Sequence, residues 1–133
     1  YTVLGAKITV YGNSTDTSNP MFLYCAVRDS QSASTDTREI VENGYVDIAT
    51  MDIASNASRA KVSQYVDVAK FLGRKDAMSD DILRGTSSAN PTEQVHFHCG
   101  AFTVNQVDGS AVNLNVIIDY DVVFHERTVL APS

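Results

Sequence analysis

Between Val112 and Phe124 every even position is apolar: Val112, Leu114, Val116, Ile118, Tyr120, Val122 and Phe124. Side chains on an extended chain alternate between faces, so this spacing makes one continuous stripe on a strand, whereas a helix would scatter it around its circumference. The odd face carries Asn113, Asn115, Ile117, Asp119, Asp121, Val123 and His125. The pattern predicts a long antiparallel strand over 112–126 with its even face turned to a core. Burying seven such side chains contributes on the order of 10 to 20 kcal/mol before entropy, an upper bound. A slip of one residue would drive Asp119 and Asp121 inward, so the register is strongly specified.

The same reasoning divides the rest of the chain. In "TVLGAKITVYG", Leu4, Ala6, Ile8 and Val10 face one way and Lys7 and Thr9 the other, which predicts a first strand. The turn formers "NSTDTSNP" lead into "MFLYCAVRD", a short and largely buried second strand expected to pair with the first as a hairpin. "SQSASTDTREIVENG" reads as a surface excursion with one helical turn, capped at Asp36 or Thr37, running to Val41 and stopped by Gly44. "YVDIATMDI" supplies a third strand with Val46, Ile48, Thr50 and Asp52 on one face and Tyr45, Asp47, Ala49, Met51 and Ile53 on the other. "RAKVSQYVDVAKFLG" supplies a fourth, with Val62, Val66 and Val68 on one side and a turn at Gly73, and "DDILRG" a helical turn before the loop "TSSANP". "TEQVHFHCGAFTV" is a fifth strand, joined to the last through the Asp108–Gly109 turn signal as a hairpin.

Six strands, long Ser/Thr/Asp-rich connections and little helix define an all-β chain. They favour a single jelly-roll β-sandwich over 1–133 rather than an up-and-down barrel, whose turns would be short and evenly spaced. A complete jelly roll has eight strands, so N-terminal strands are expected to be missing from this chain. The opening on "YTVLGAKITV", with neither Met nor a polar lead-in, fits a processed or truncated piece of something longer.

Composition narrows the function classes. The 133 residues carry a net charge of −6, which argues against a dominant phosphate-binding surface on this segment. No apolar run approaches the roughly 20 residues that span a bilayer, so no membrane insertion is expected. Cys25 and Cys99 fall in apparent strands and read as free buried thiols; a disulfide would require those strands to be neighbours.

Four constellations carry possible chemistry. His96 and His98 in "HFH" share a strand face about 7 Å apart, the spacing of a metal-ligand pair. The jelly-roll enzymes called cupins use such a pair, but they follow it with a glutamate; here "CGAFTV" follows, and His125 is expected far from the pair. Asp119 and Asp121 resemble a carboxylate pair, yet like charges two apart on a strand face solvent. No nucleophile elbow or glycine-rich phosphate loop occurs, so no catalytic residue, metal ligand or cofactor is assigned. The closest basic groupings are Arg59 with Lys61, and Lys70 with Arg74 and Lys75, which are candidates for phosphate contact; Tyr11, Tyr24, Tyr45 and Tyr65 are candidates for stacking on bases.

The order of "YTVLGAKITVYGN", "KVSQYVDVAKFLGRKD", "DDILRGTSSANPTEQVHFH" and "VNLNVIIDYDVVFHERT" resembles the capsid proteins of circovirus-like, circular single-stranded DNA viruses. That resemblance implies a non-catalytic jelly-roll subunit that self-assembles into an icosahedral shell around a single-stranded DNA genome, located in the virion and, during assembly, in the host nucleus or cytoplasm. It implies an arginine-rich arm and a first sheet strand ahead of this segment, with the arm performing the cationic work. In this reading the loops at 29–44 and 73–92 supply inter-subunit and outer-surface contacts. The alternative from the residues alone is a jelly-roll carbohydrate-binding module of lectin or adhesin type, with loop Asp and Asn side chains holding a sugar or calcium.

Overall fold

A computed structural model of the chain describes residues 1–42, 44–53, 59–105 and 111–125. Six strands occur in order: β1 (Thr2–Ser14), β2 (Met21–Arg28), β3 (Val46–Met51), β4 (Arg59–Asp67), β5 (His96–Thr103) and β6 (Val112–Val123). Two short helices, α1 (Thr37–Glu42) and α2 (Val68–Phe71), and a 3-10 turn over Asp81–Leu83 complete the described structure. The strands form two antiparallel three-stranded sheets, β4-β1-β6 and β3-β2-β5, packed face to face. The chain is therefore all-β and built as two layers. The Asp108–Gly109 turn and the tail from 126 lie outside the described residues.

The core sits where alternation places it. Ile8 and Val10 of β1, Leu23 and Cys25 of β2, Met51 of β3 and Val62 of β4 meet between the sheets, all essentially removed from water. Ala6, Val27 and Val66 extend this layer toward the α2 end. The second strand is buried on both faces, because Tyr24 and Ala26 on its outer side are covered by Ile40 of α1. Asp36 caps that helix by accepting the Arg38 amide at 2.9 Å, as the "TDTRE" pattern predicts.

The pairing departs from the sequence reading in two places. β1 and β2 do not form a hairpin; they lie in opposite sheets, and so do β5 and β6. The connections arch from one layer to the other instead of folding back within a layer, which lets each strand's apolar face meet the other's across the core. The fourth strand also ends sooner than expected. Asp67 accepts the Lys70 amide at 3.0 Å and so starts α2, which places Val68 on a helical turn rather than on the strand; Gly73, at φ 67°, follows in the left-handed conformation.

The final strand runs over Val112–Val123 and pairs in register with β1, with Ile118 opposite Ile8 and Val116 opposite Val10. Directly opposed residues share a face, so the even stripe of β6 does point to the core side. It is not covered, however. Leu114, Val116, Ile118 and Tyr120 all remain substantially exposed, because β6 is an edge strand with β1 as its only neighbour among the described residues. The burial free energy expected from the alternation is therefore only partly realised.

Candidate functional site

The two flanks of the sandwich differ. On one, β3 and β4 are tied across the layers: the Asp47 carboxylate accepts the backbone N–H of Ser63 at 2.8 Å and so occupies a donor on the free edge of β4. On the other, β5 and β6 each end their sheet among the described residues, and the half-bared stripe of β6 lies there. An edge that offers a row of backbone donors and acceptors beside bare apolar side chains is a template for strand addition.

The outer face of the β4-β1-β6 sheet is polar and arranged in rows by the register. Arg59, Asn13 and Asn113 form one row; Lys61, Tyr11 and Asn115 the next; Ser63, Thr9 and Ile117 the third; Tyr65, Lys7 and Asp119 the fourth. Asp67, Gly5 and Asp121 close the face. The Lys61 ammonium lies 5.7 Å from the centre of the Tyr11 ring, a cation–π contact. A methyl group on Gly5 would stand 2.5 Å from the Tyr65 hydroxyl, so the bare glycine lets that ring lie across the sheet. Tyr11 is 40% and Tyr65 57% exposed.

The five candidate phosphate-binding residues are thus split. Arg59 and Lys61 stand side by side on this face. Lys70, Arg74 and Lys75 lie past the other end of β4, on the order of 25 Å away along the strand. Arg74 is committed to carboxylates, with Glu93 at 2.5 Å and Asp80 at 3.6 Å, and the Glu93 hydrogen bond followed by its charge raises the guanidinium pKa. The four tyrosines also divide: Tyr24 is buried and Tyr45 packs edge-on to Phe71 at 5.0 Å, leaving Tyr11 and Tyr65 as the exposed rings on the sheet face. Lys7, which the sequence reading passed over as a strand residue, joins them through its register position.

No family model, curated protein or solved structure matches this chain.

The histidines take separate roles. His98 Nε2 bonds the Ser30 carbonyl at 2.8 Å and His125 Nε2 bonds the Thr2 hydroxyl at 2.8 Å. His96 lines an open cleft of about 1070 Å³ with Arg28, Glu39, Glu42, Tyr45 and Glu93. Its Nδ1 is buried with no hydrogen-bond partner among the described residues. Within the cleft Glu39 receives the Ser34 hydroxyl and, at 2.8 Å, Arg28; these bonds, the serine first, hold its carboxyl below the usual range. The Arg28–Glu39 pair fastens α1 to β2, while Arg74 joins Asp80 and Glu93 and so ties the two ends of the 73–92 segment together. Among the described residues no group of three or more His, Cys, Asp or Glu is placed to hold a metal ion. No helix there is long and apolar enough to cross a membrane.

Cys25 and Cys99 face each other directly across β2 and β5, as free thiols. Burial first, then Cys99 and Asp47, pushes the Cys25 thiol up to about 12, and burial raises Cys99 as well. Thiols held neutral in this way fill the core rather than act as nucleophiles.

Proposed function

We propose that the chain is a structural capsid subunit: a jelly-roll domain that assembles with copies of itself into an icosahedral shell around a circular single-stranded DNA genome. One observation carries the reading, the order in which the strands pair. A jelly roll is a long antiparallel hairpin wrapped round a core, in which the first strand pairs with the eighth, the second with the seventh, the third with the sixth and the fourth with the fifth. If β1 to β6 are the third to eighth strands, the two innermost pairings are β1 with β4 and β2 with β3, and both occur. Wrapping then sets the eighth strand beside the third and the seventh beside the fourth, which are the observed pairs β6–β1 and β5–β2.

Two positions remain in that scheme, and they fall beside β6 and β5. Those are the free edges that bound the half-bared stripe. A first and a second strand laid there would pair the edges and cover Leu114, Val116 and Ile118, turning an aggregation-prone flank into a closed wall. A sandwich of that kind has fixed thickness, and its connecting loops at 29–44 and 73–92 project where neighbouring copies meet in a closed symmetric assembly. The sheet face bearing Arg59 and Lys61 would then supplement a cationic arm rather than replace it.

The test is direct. Protein expressed over the full reading frame and imaged by electron microscopy, with light scattering in parallel, forms uniform large particles whose nucleic acid is degraded by DNase after disruption. A monodisperse small species at all concentrations and ionic strengths refutes the proposal.

A further inference from the structure

We infer that the outer face of the β4-β1-β6 sheet is a stacking platform for single-stranded DNA, with Tyr11 and Tyr65 receiving bases and Arg59, Lys61 and Lys7 receiving phosphates. The inference rests on the shell reading for the choice of DNA, but the platform itself stands on the geometry of the face. Single-stranded nucleic acid is bound without sequence readout where exposed aromatic rings lie flat on a sheet beside cations that follow the backbone. This face has both. The Tyr65 ring lies across the cleared surface over Gly5, and Tyr11 stands in the row with Lys61.

The two rings are two rows and one strand apart, about 14 Å, which leaves room for intervening nucleotides between the stacked ones. At the level of the third row, one strand beyond Tyr11 on β6, Ile117 is exposed on the same face. An apolar side chain there is matched to the methyl of thymine, which uracil lacks. The charges also have a direction. Arg59 and Lys61 occupy one end with Asn13, Asn113 and Asn115, while Asp67, Asp119 and Asp121 occupy the other, so phosphates are drawn to the Arg59 end. Asn side chains in those rows add neutral donors for phosphate or base.

Among the described residues the other basic groups do not form such a surface, and Arg38 stands apart on α1. Arg28, Arg74 and Arg84 are each paired with a carboxylate, and Lys70 and Lys75 flank Asp67 and Asp76 beside α2.

The experiment is fluorescence anisotropy of this chain with a short labelled oligo(dT), titrated across ionic strength. Two to three phosphate contacts give a slope of log affinity on log salt of about −1.4 to −2. Reversing both charges, Arg59→Glu with Lys61→Glu, flattens that slope by about 1.4. Tyr11→Ala and Tyr65→Ala each weaken binding about five- to tenfold while Tyr11→Phe retains it, because the ring and not the hydroxyl does the stacking. All of these side chains are on the surface, and an unchanged urea midpoint separates lost binding from lost folding. Oligo(dU) and oligo(rU) bind more weakly than oligo(dT), and Ile117→Ser removes the difference between oligo(dT) and oligo(dU). Affinity unaffected by the Glu and Ala variants overturns the platform, and tighter binding of the RNA overturns its assignment to DNA. Particles that form while these variants bind oligo(dT) normally defeat the platform and leave the shell reading standing. The reverse result, variant-sensitive binding without particles, defeats the shell reading alone.

Discussion

Ile8 and Ile118 are the same residue type, directly opposed on adjacent strands and turned to the same side of one sheet, yet Ile8 is 1% exposed and Ile118 39%. Replacing each by Ala isolates the effect of cover from that of chemistry and strand propensity. The change removes three carbons, worth about 2.4 kcal/mol of transfer free energy at about 0.8 kcal/mol each. At Ile8 the surrounding core of Val10, Leu23 and Val62 cannot collapse fully, and the cavity left behind raises the cost to about 3.5 kcal/mol. At Ile118 only about three-fifths of the side chain is withdrawn from water and no closed cavity forms, so the cost is about 1.5 kcal/mol. With a urea m-value of about 2 kcal/mol/M, Ile8→Ala lowers the unfolding midpoint by about 1 M more than Ile118→Ala does. Equal midpoints in this chain would mean that the β6 stripe is covered and that the open-flank argument is wrong. The same pair measured in particles tests the completed fold, because a strand laid over Ile118 brings its cost up toward that of Ile8.

Three further outcomes follow from named contacts. Because burial raises the Cys25 pKa in the folded state from 9.0 to about 12, its stabilising effect is complete below pH 9 and is lost as pH rises toward 12. Unfolding free energies from urea titration in reducing buffer therefore fall with a slope of about 1.4 kcal/mol per pH unit across that window, and Cys25→Ala flattens the slope. Gly73→Ala costs about 1 to 2 kcal/mol from backbone conformation alone, since nothing lies within 4 Å of an added Cβ; Gly44→Ala, equally open and without a positive φ, leaves the thermal midpoint nearly unchanged. Asp47→Ala removes the acceptor for the Ser63 amide and costs about 1.5 kcal/mol by urea titration, with faster hydrogen exchange at Ser63 as its local signature.

What could be read from the sequence depended on how local the governing interaction was. Alternation, together with apolar runs bounded by turn residues, located all six strands and the inward side of β6, because both patterns are properties of the strand itself. Cap chemistry narrowed the start of α1 to Asp36 or Thr37, and Asp36 reaches the amide two residues on; the matching cap at Asp80 was not read from the sequence. Alternation failed on partners. A turn between two strands states that the chain reverses, not whether it returns in its own sheet or crosses about 10 Å to the facing one, and "NSTDTSNP" is compatible with either. Cover failed for the same reason: an apolar stripe records what a strand is suited to bury against, and Leu114 to Tyr120 are suited to a neighbour that the described chain does not supply. The sheet face shows where the boundary falls. Parity within β4 already placed Arg59, Lys61 and Tyr65 on one side of one strand, so three members of the platform were legible. Tyr11 stands beside Lys61 only because β1 and β4 pair as Tyr11 with Lys61, and a one-residue slip would exchange Tyr11 for Val10 or Gly12. What prevents the slip is the buried face, where Ile8, Val10 and Val62 must all point inward. The hydrophobic core thus sets the chemistry of the opposite surface, through a register that no single strand encodes.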